Sequence, residues 1–314
     1  MELDAWQIQS AVYDANLGQR ATVRLSTKAD RGVDAVLGRI ERSVREAVDE
    51  ADLRLESIAG VTVGVPGVVT TTAGPVTQWR LFGWPTLELV QALSLRLGLP
   101  VRMENTGNLA ALGASVADVK PSSGRLLAIF IGHGVHGGII EAGRIAYDSA
   151  VTFPLISHGV VSAQGPGCPC GQSGCVDSLA SGRAILQQVK AGLKNGADSM
   201  LAGQETVGLD DWRKAIKQDD PLAVLAAREA ARHLGTLLVL LIQRWQPQQV
   251  VLGGPVVDAA EKLIQAEIQD ILAKHLNSLD QGVPPLVYSQ LGKAACTFGA
   301  AVIMRQELQA DVER

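Results

Sequence analysis

The chain has 314 residues, 47% of them hydrophobic, with 28 Lys and Arg against 32 Asp and Glu for a formal net charge of −4. That length and apolar content suffice for two domains with substantial cores. Without a basic run the sequence by itself lacks the electrostatic footprint of a nucleic-acid-binding domain, and no apolar run approaches the roughly 20 residues that span a bilayer.

The amino terminus carries Glu2 and Asp4 where a secretory leader would be basic, so a cytoplasmic, non-membrane protein is expected. Ile8 to Asp14, followed by Gly18 and Ala21 to Leu25, reads as an opening hairpin. Val33, Val36, Leu37, Ile40, Val44 and Val48 keep helical spacing, which predicts an amphipathic helix over Val33 to Ala51. Val61 to Val65 reads as a buried strand ending at Gly64-Val-Pro-Gly67, Leu87 to Leu97 as a helix, Val101 to Met103 as a strand and Asn108 to Val116 as the helix after it. Lys120-Pro-Ser-Ser-Gly124 is the best linker, polar and turn-rich. Beyond it, Leu126 to Ile131 and Gly138 to Glu141 predict a strand pair around a glycine loop. Pro221 to Trp245 reads as a long helix whose run Leu234 to Ile242 is buried, Val250 to Leu252 as a short buried strand, Ala259 to His275 as a helix and Phe298 to Val312 as a terminal helix. Strands alternating with helices predict an α/β fold with largely parallel sheets.

Three of the four cysteines fall in Cys168-Pro-Cys-Gly-Gln-Ser-Gly-Cys175, and His158 stands ten positions upstream of Cys168. Three thiolates and an imidazole complete the tetrahedron that zinc prefers in closed, structural sites, and Gly171 and Gly174 let the backbone turn Cys175 back toward the first pair. The alternatives are a reduced thiol cluster or a disulfide. A Cys-x-Cys pair is too close for a relaxed disulfide and one thiol would be left over, so the pattern favours Zn²⁺ on His158, Cys168, Cys170 and Cys175.

The order Ser157-His158-Gly, then Cys168-x-Cys170-Gly-x-x-Gly-Cys175-x-Asp177, resembles the signature of the ROK family of repressors, open reading frames and sugar kinases. Gly64-Val-Pro-Gly67, Glu104-Asn105 with Asn108-Leu-Ala-Ala-Leu-Gly113, Gly132-His-Gly-Val-His-Gly-Gly138, Val250-Val-Leu-Gly-Gly254 and Gly299-Ala-Ala301 follow in the family's order over nearly the whole chain. The resemblance implies a two-lobed actin-like, hexokinase-like ATPase fold of the ribonuclease H-like class, with sugar bound in the cleft between the lobes. It implies a small amino-terminal lobe over 1–119 plus 298–314, and a large lobe over 120–297 carrying the zinc knuckle and the oligomerisation surface.

Departures from the family pattern shape the functional expectation. Its kinases carry Asn-Asp at the helix start, where the Asp takes the sugar hydroxyl's proton; alignment places Thr106 there, and losing a general base costs roughly 10²- to 10⁴-fold. Thr106 could equally cap the helix. Its kinases also open with Asp-x-Gly-Gly-Thr-Lys, whose bare amides approach phosphates. Here the equivalent stretch is Glu2-Leu-Asp-Ala-Trp-Gln7, so Asp4, Ala5 and Trp6 replace the glycines and the small hydroxyl and predict a closed phosphate site.

The sugar end is partly kept. Asn105 matches a sugar-binding asparagine, His158 the histidine that faces zinc with one ring nitrogen and a sugar hydroxyl with the other, and Asp177 a glutamate one methylene longer. Leu155 replaces a sugar-contacting carboxylate, and Arg80 stands near a family asparagine and could supply a donor. The nucleotide-side loops, Gly132, Gly134, Gly137 and Gly138 with Gly253 and Gly254, remain, although His133 stands where kinases have threonine, as in the regulator branch.

The resemblance therefore implies a non-catalytic, zinc-binding, sugar-sensing effector domain of a transcriptional regulator. Its partners would be a monosaccharide or sugar-phosphate effector and copies of itself in a homodimer or tetramer. ATP and Mg²⁺ are not expected, and DNA contact is expected only through a winged helix-turn-helix that this sequence lacks. The alternative is an ATP-dependent hexose or N-acetylhexosamine kinase.

Overall fold

The computed structural model describes residues 1–4, 6–69, 76–77, 89–119, 124–146, 156–276 and 282–312. Contacts divide the chain into two compact units, one comprising 1–121, 143–150 and 294–314 and the other 122–142 and 151–293.

In the first unit, β1 (Glu2–Leu3), β2 (Gln7–Tyr13), β3 (Gln19–Ser26), β4 (Val61–Val65) and β7 (Val101–Asn105) form a sheet in the order β3-β2-β1-β4-β7. The predicted hairpin is β2 and β3, paired antiparallel from Gln7↔Ser26 onward, while β4 and β7 run parallel in register Val61↔Val101. Two-residue β1 sits between them, antiparallel to β2 and parallel to β4. It is too short to carry an alternation pattern, which is why no sequence signal announced it. A small ladder joins β5 (Val68–Val69) and β6 (Val76–Thr77). Helix α1 (Val33–Glu50) buries Val36, Leu37, Ile40, Val44 and Val48 against β2 and β3, the stripe its spacing predicted. Helix α2 (Leu89–Leu97) adds Leu89, Leu93 and Leu97 to the same core. Helix α3 (Thr106–Ala117) follows β7 without a loop and packs on the terminal helix α9 (Ala295–Val312). A Cβ at Gly299 would overlap the Leu109 carbonyl, so only glycine permits this close a crossing.

In the second unit, β8 (Arg125–Ile131), β9 (Val135–Glu141), β10 (Gln249–Gly253) and β11 (Leu286–Tyr288) lie in the order β9-β8-β10-β11. The β8–β9 pair is antiparallel and β10 is parallel to both its neighbours. Val250, Val251 and Leu252 are fully buried, as a continuous apolar run between two parallel partners should be. Strand β9 begins at Val135, so the glycine loop is only the three residues Gly132 to Gly134.

Around this sheet stand α4 (Val176–Ala180), α5 (Gly182–Lys194), α6 (Leu209–Ile216), α7 (Pro221–Trp245) and α8 (Pro255–Leu276). Pro221 opens α7 behind Asp220, whose carboxylate accepts the Ala223 amide, and left-handed Gln246 closes it before Pro247. Helix α8 is broken at Ala260 (φ −129°, ψ 28°), so its first turn stands apart from the amphipathic stretch predicted from Ala259. No helix among the described residues is long and apolar enough to cross a membrane.

Candidate functional site

The metal-ligand cluster is built by turns rather than by regular elements. Isolated bridges Val160↔Cys175 and Gly167↔Ser173 fold the segment back on itself, and the Cys168 amide donates to the Gln172 carbonyl at 2.7 Å. Gly174 (φ +70°) packs directly on the Ser162 carbonyl, a position closed to any side chain. His158 Nδ1 stands 3.5 Å from Cys168 Sγ, Cys170 Sγ stands 3.6 Å from Cys175 Sγ, and the four ligand atoms lie within 4.8 Å of one another. A tetrahedral ion with metal–sulfur bonds near 2.3 Å needs ligand separations of roughly 3.7 Å, so this donor set fits a metal ion. The sulfurs are too far apart for a disulfide, and all three cysteines are free. Burial lowers the pKa of His158, against the opposing pull of Asp177, which favours the neutral imidazole that ligates metals. Burial pushes the Cys168 and Cys175 thiols up, whereas Cys170, despite burial, is held below its ordinary value by hydrogen bonds from the Gln172 amide and the neighbouring thiols. A bound cation would hold all three as thiolates.

Beside the cluster, the first turn of α4 carries Asp177, buried to 8% exposure. Its Oδ1 accepts the Val135 amide at 2.9 Å and its Oδ2 accepts Arg183 Nη2 at 2.6 Å. The Gly182 amide donates to the Gly132 carbonyl at 2.8 Å and the Arg183 amide to the His133 carbonyl at 3.3 Å, so the start of α5 and the Gly132–Gly134 loop are laced together. The sequence reading missed Arg183. The signal available was a cation at the second position of a helix, where the dipole disfavours it.

Most of the glycines expected on the nucleotide side have packing reasons. A Cβ at Gly137 would stand 2.5 Å from the Ala128 carbonyl oxygen, one at Gly253 2.6 Å from the Phe130 ring, and one at Gly134 3.1 Å from Asp177 Oδ1. Gly254 (φ +94°) faces the Ile131 backbone, and Gly138 pairs with Ala128 inside β9. Gly132 alone of these has open room, with only Pro255 at 4.0 Å.

In the first unit, the turn between β1 and β2 is where the phosphate loop was expected. Asp4 Oδ1 accepts the backbone amides of Trp6 and Gln7, each at 2.6 Å, and the Asp4 amide donates to the Gln7 carbonyl at 3.0 Å. The chain's own carboxylate thus takes both amides of this turn, and Trp6 is left 66% exposed at the tip. Glu2 is raised to about 7, first by burial and then by the like charge of Asp4.

At the start of α3, Asn105 rather than Thr106 is the cap, correcting the capping expectation. Its Oδ1 accepts the Gly107 and Asn108 amides at 2.8 and 3.1 Å, and its Nδ2 donates to the Gly67 carbonyl at 2.7 Å. Thr106 is the first helical residue instead. Its buried hydroxyl makes no regular hydrogen bond and has the weakly polar Cys296 thiol for company. Glu104 Oε1 accepts the Asn105 amide at 2.8 Å and Asn108 Nδ2 at 3.0 Å, fixing the helix start. Asn105 and Thr106 therefore stand together in the first unit, and His158, Asp177 and the cysteines in the second. Arg80, Leu155 and linker residues Lys120 to Ser123 lie outside the described residues.

The ROK family model matches residues 2–307. The DNA-binding transcriptional repressor Mlc of Escherichia coli is 24% identical over 80% of this chain and 61% of its own length. A glucokinase of Thermotoga maritima is 26% identical over 91% of this chain and 90% of its own. A ROK family glucokinase from Streptomyces griseus, solved with glucose and AMPPNP, superposes with a TM-score of 0.86 at 26% identity, covering 97% of this chain and 98% of that one. The two sheets and their helices are those of the ROK sugar kinases, an actin-like ATPase fold, and the chain belongs to the ROK family.

Proposed function

We propose that this chain is a non-catalytic, sugar-responsive ROK module, the effector and oligomerisation portion of a transcriptional regulator, with one structural zinc ion on His158, Cys168, Cys170 and Cys175. The observation that carries this reading is Asp4 Oδ1 on the Trp6 and Gln7 amides. Phosphoryl transfer depends on backbone amides and cations arranged around phosphate, and a carboxylate in that place repels phosphate as well as displacing it. Thr106 supports the same reading independently, since a hydroxyl cannot take a proton at neutral pH as a carboxylate does. Four protein ligands fill a tetrahedron and leave no open position for water, which suits a structural ion.

His158 would face zinc through Nδ1 and a sugar hydroxyl through Nε2, and Asn105 would contribute by holding the α3 start in place. The relatives support both branches: Mlc is a repressor, and the S. griseus and T. maritima proteins are glucokinases. Contact with DNA would require a further domain, in a homodimer or tetramer. The kinase alternative rests on the 98% coverage of the S. griseus enzyme.

A coupled assay with ATP, Mg²⁺ and glucose, N-acetylglucosamine, N-acetylmannosamine or allose decides between the two. The expected result is no turnover above background, and turnover near the roughly 1 to 100 s⁻¹ of ordinary kinases overturns the proposal. Thr106→Asp alone should not restore activity, because the amides of the first turn remain taken.

A further inference from the structure

We infer that Arg183, held in place by Asp177, is the residue through which this site selects its sugar, and that it favours a monosaccharide carrying an acceptor-only oxygen group, a carbonyl, carboxylate or phosphate. The inference rests on the sugar-sensing reading above. Both oxygens of Asp177 are already committed within the chain, Oδ1 to the Val135 amide at 2.9 Å and Oδ2 to Arg183 Nη2 at 2.6 Å. The carboxylate is buried, its side chain 11% exposed, whereas the Arg183 side chain is 40% exposed. The pair therefore turns a guanidinium outward and a carboxylate inward. A carboxylate accepts, so a site built on it asks the ligand for hydroxyl protons; a guanidinium only donates, so this site asks for lone pairs. The hydrogen-bond polarity at this position is inverted relative to a bare carboxylate.

Three further observations point to a ligand role. Arg183 is the second residue of the 13-residue helix α5, where a cation opposes the helix dipole, so helix stability does not explain it. Its own amide is tied to the His133 carbonyl and its neighbour's to Gly132, which fixes the arginine's origin on the glycine loop. Asp177, which holds the guanidinium at 2.6 Å, follows the cluster's Cys175 by two residues, so the guanidinium belongs to the same corner as the metal-ligand cluster. Asp177 is then a positioning residue. It sets the fork of Arg183, and the remaining guanidinium N–H groups meet the ligand, bidentately where the ligand offers two oxygens.

Calorimetry on the full chain with glucose, glucosamine, N-acetylglucosamine, glucuronate and glucose 6-phosphate tests this. At least one of the last three should bind roughly 10- to 100-fold tighter than glucose, since charge-assisted bonds are about twice as strong as neutral ones, and glucosamine should bind weakest. Affinity that falls between low and high salt marks the carboxylate or phosphate arm, and affinity insensitive to salt marks the carbonyl arm. Arg183→Gln should bring the preferred ligand to within about 3-fold of glucose, with metal content and circular dichroism unchanged. Asp177→Asn should weaken the preferred ligand in the same direction while sparing glucose. If Asp177→Asn instead lowers glucose affinity and leaves the preference intact, Asp177 itself touches the sugar and the inference is overturned. It is also overturned if glucose binds as tightly as the acceptor-bearing sugars, or if Arg183→Gln keeps the preference; in both cases the sensing reading stands. If no sugar binds at all, the sensing reading falls and takes the inference with it.

Discussion

The two units each satisfy backbone amides with an aspartate carboxylate, exposed at a turn in the first and buried at the start of a strand in the second. In the first, Asp4 takes the Trp6 and Gln7 amides with Glu2 as a neighbour of like charge. In the second, Asp177 takes the Val135 amide but is balanced by Arg183 and stands beside the His158 and cysteine cluster. On the reading proposed above, the chain has lost its phosphate end and retuned its sugar end.

The largest difference between the units should appear on removing metal. Structural zinc binds small peptides with roughly 10 to 16 kcal/mol, and part of that should be folding energy of the second unit here. Chelation, or Cys175→Ser, should cost several kcal/mol and lower the melting temperature of the second unit, followed by calorimetry. Cys296→Ala should leave the metal content measured by elemental analysis unchanged. The pH dependence has a definite sign: burial raises the Cys168 and Cys175 thiols, the metal binds their thiolates, and protons compete for them, so metal should be released as pH falls. A chelator-washed protein with no zinc and unchanged stability would remove the second unit from the comparison.

What was legible in the sequence follows from how local each signal is. The α1 stripe, the β10 run and the α7 boundaries are set by side-chain periodicity and by Pro221 and Pro247, and the structure keeps them. The His/Cys cluster was legible because its four residues fall within eighteen positions. The two-residue strand β1 was not, because its place is set by β2 and β4 on either side and not by its own pattern. The Thr106 cap was misread because Thr and Asn are both good caps and only the backbone shows that the helix starts one residue later than the capping side chain. Arg183 was missed for the same reason that Asp177 looked available: the hydrogen bond joining them depends on how α4 and α5 meet, which no spacing rule gives.

The first unit's charge crowding can be measured on Glu2. Burial and the Asp4 charge raise its carboxyl to about 7 from an ordinary 4.5. A carboxylate raised on folding contributes no penalty below pH 4.5, where both states are protonated. Its cost grows between pH 4.5 and 7 as the unfolded chain ionises first, and stays constant above pH 7. Glu2→Gln should abolish that slope, leaving stability unchanged in acid and raising it by about 1 to 3 kcal/mol at pH 8, the upper figure being that of full burial. Equal stability of parent and variant at pH 8 in urea unfolding would mean that the acidic corner carries no strain.

The smallest effect, and the one that separates hydrogen bonding from charge, belongs to Asp4. Its Oδ1 serves both amides of the turn, and an asparagine oxygen can accept the same two bonds, so Asp4→Asn removes the charge while keeping the geometry. Hydrogen bonds to a charged acceptor are stronger than to a neutral one, which should cost on the order of 1 kcal/mol. Relief of the like charge on Glu2 works the other way and should return part of it, moving the Glu2 carboxyl downward and flattening the stability curve between pH 5 and 7. The net change at pH 8 should lie within about 1 kcal/mol of zero, whereas Asp4→Ala, which loses the acceptor as well, should be clearly destabilising. If Asp4→Asn is as damaging as Asp4→Ala, the charge itself holds the turn. The amides vacated in Asp4→Ala would be the place to look for regained phosphate affinity, by titration with ATP in the absence of sugar.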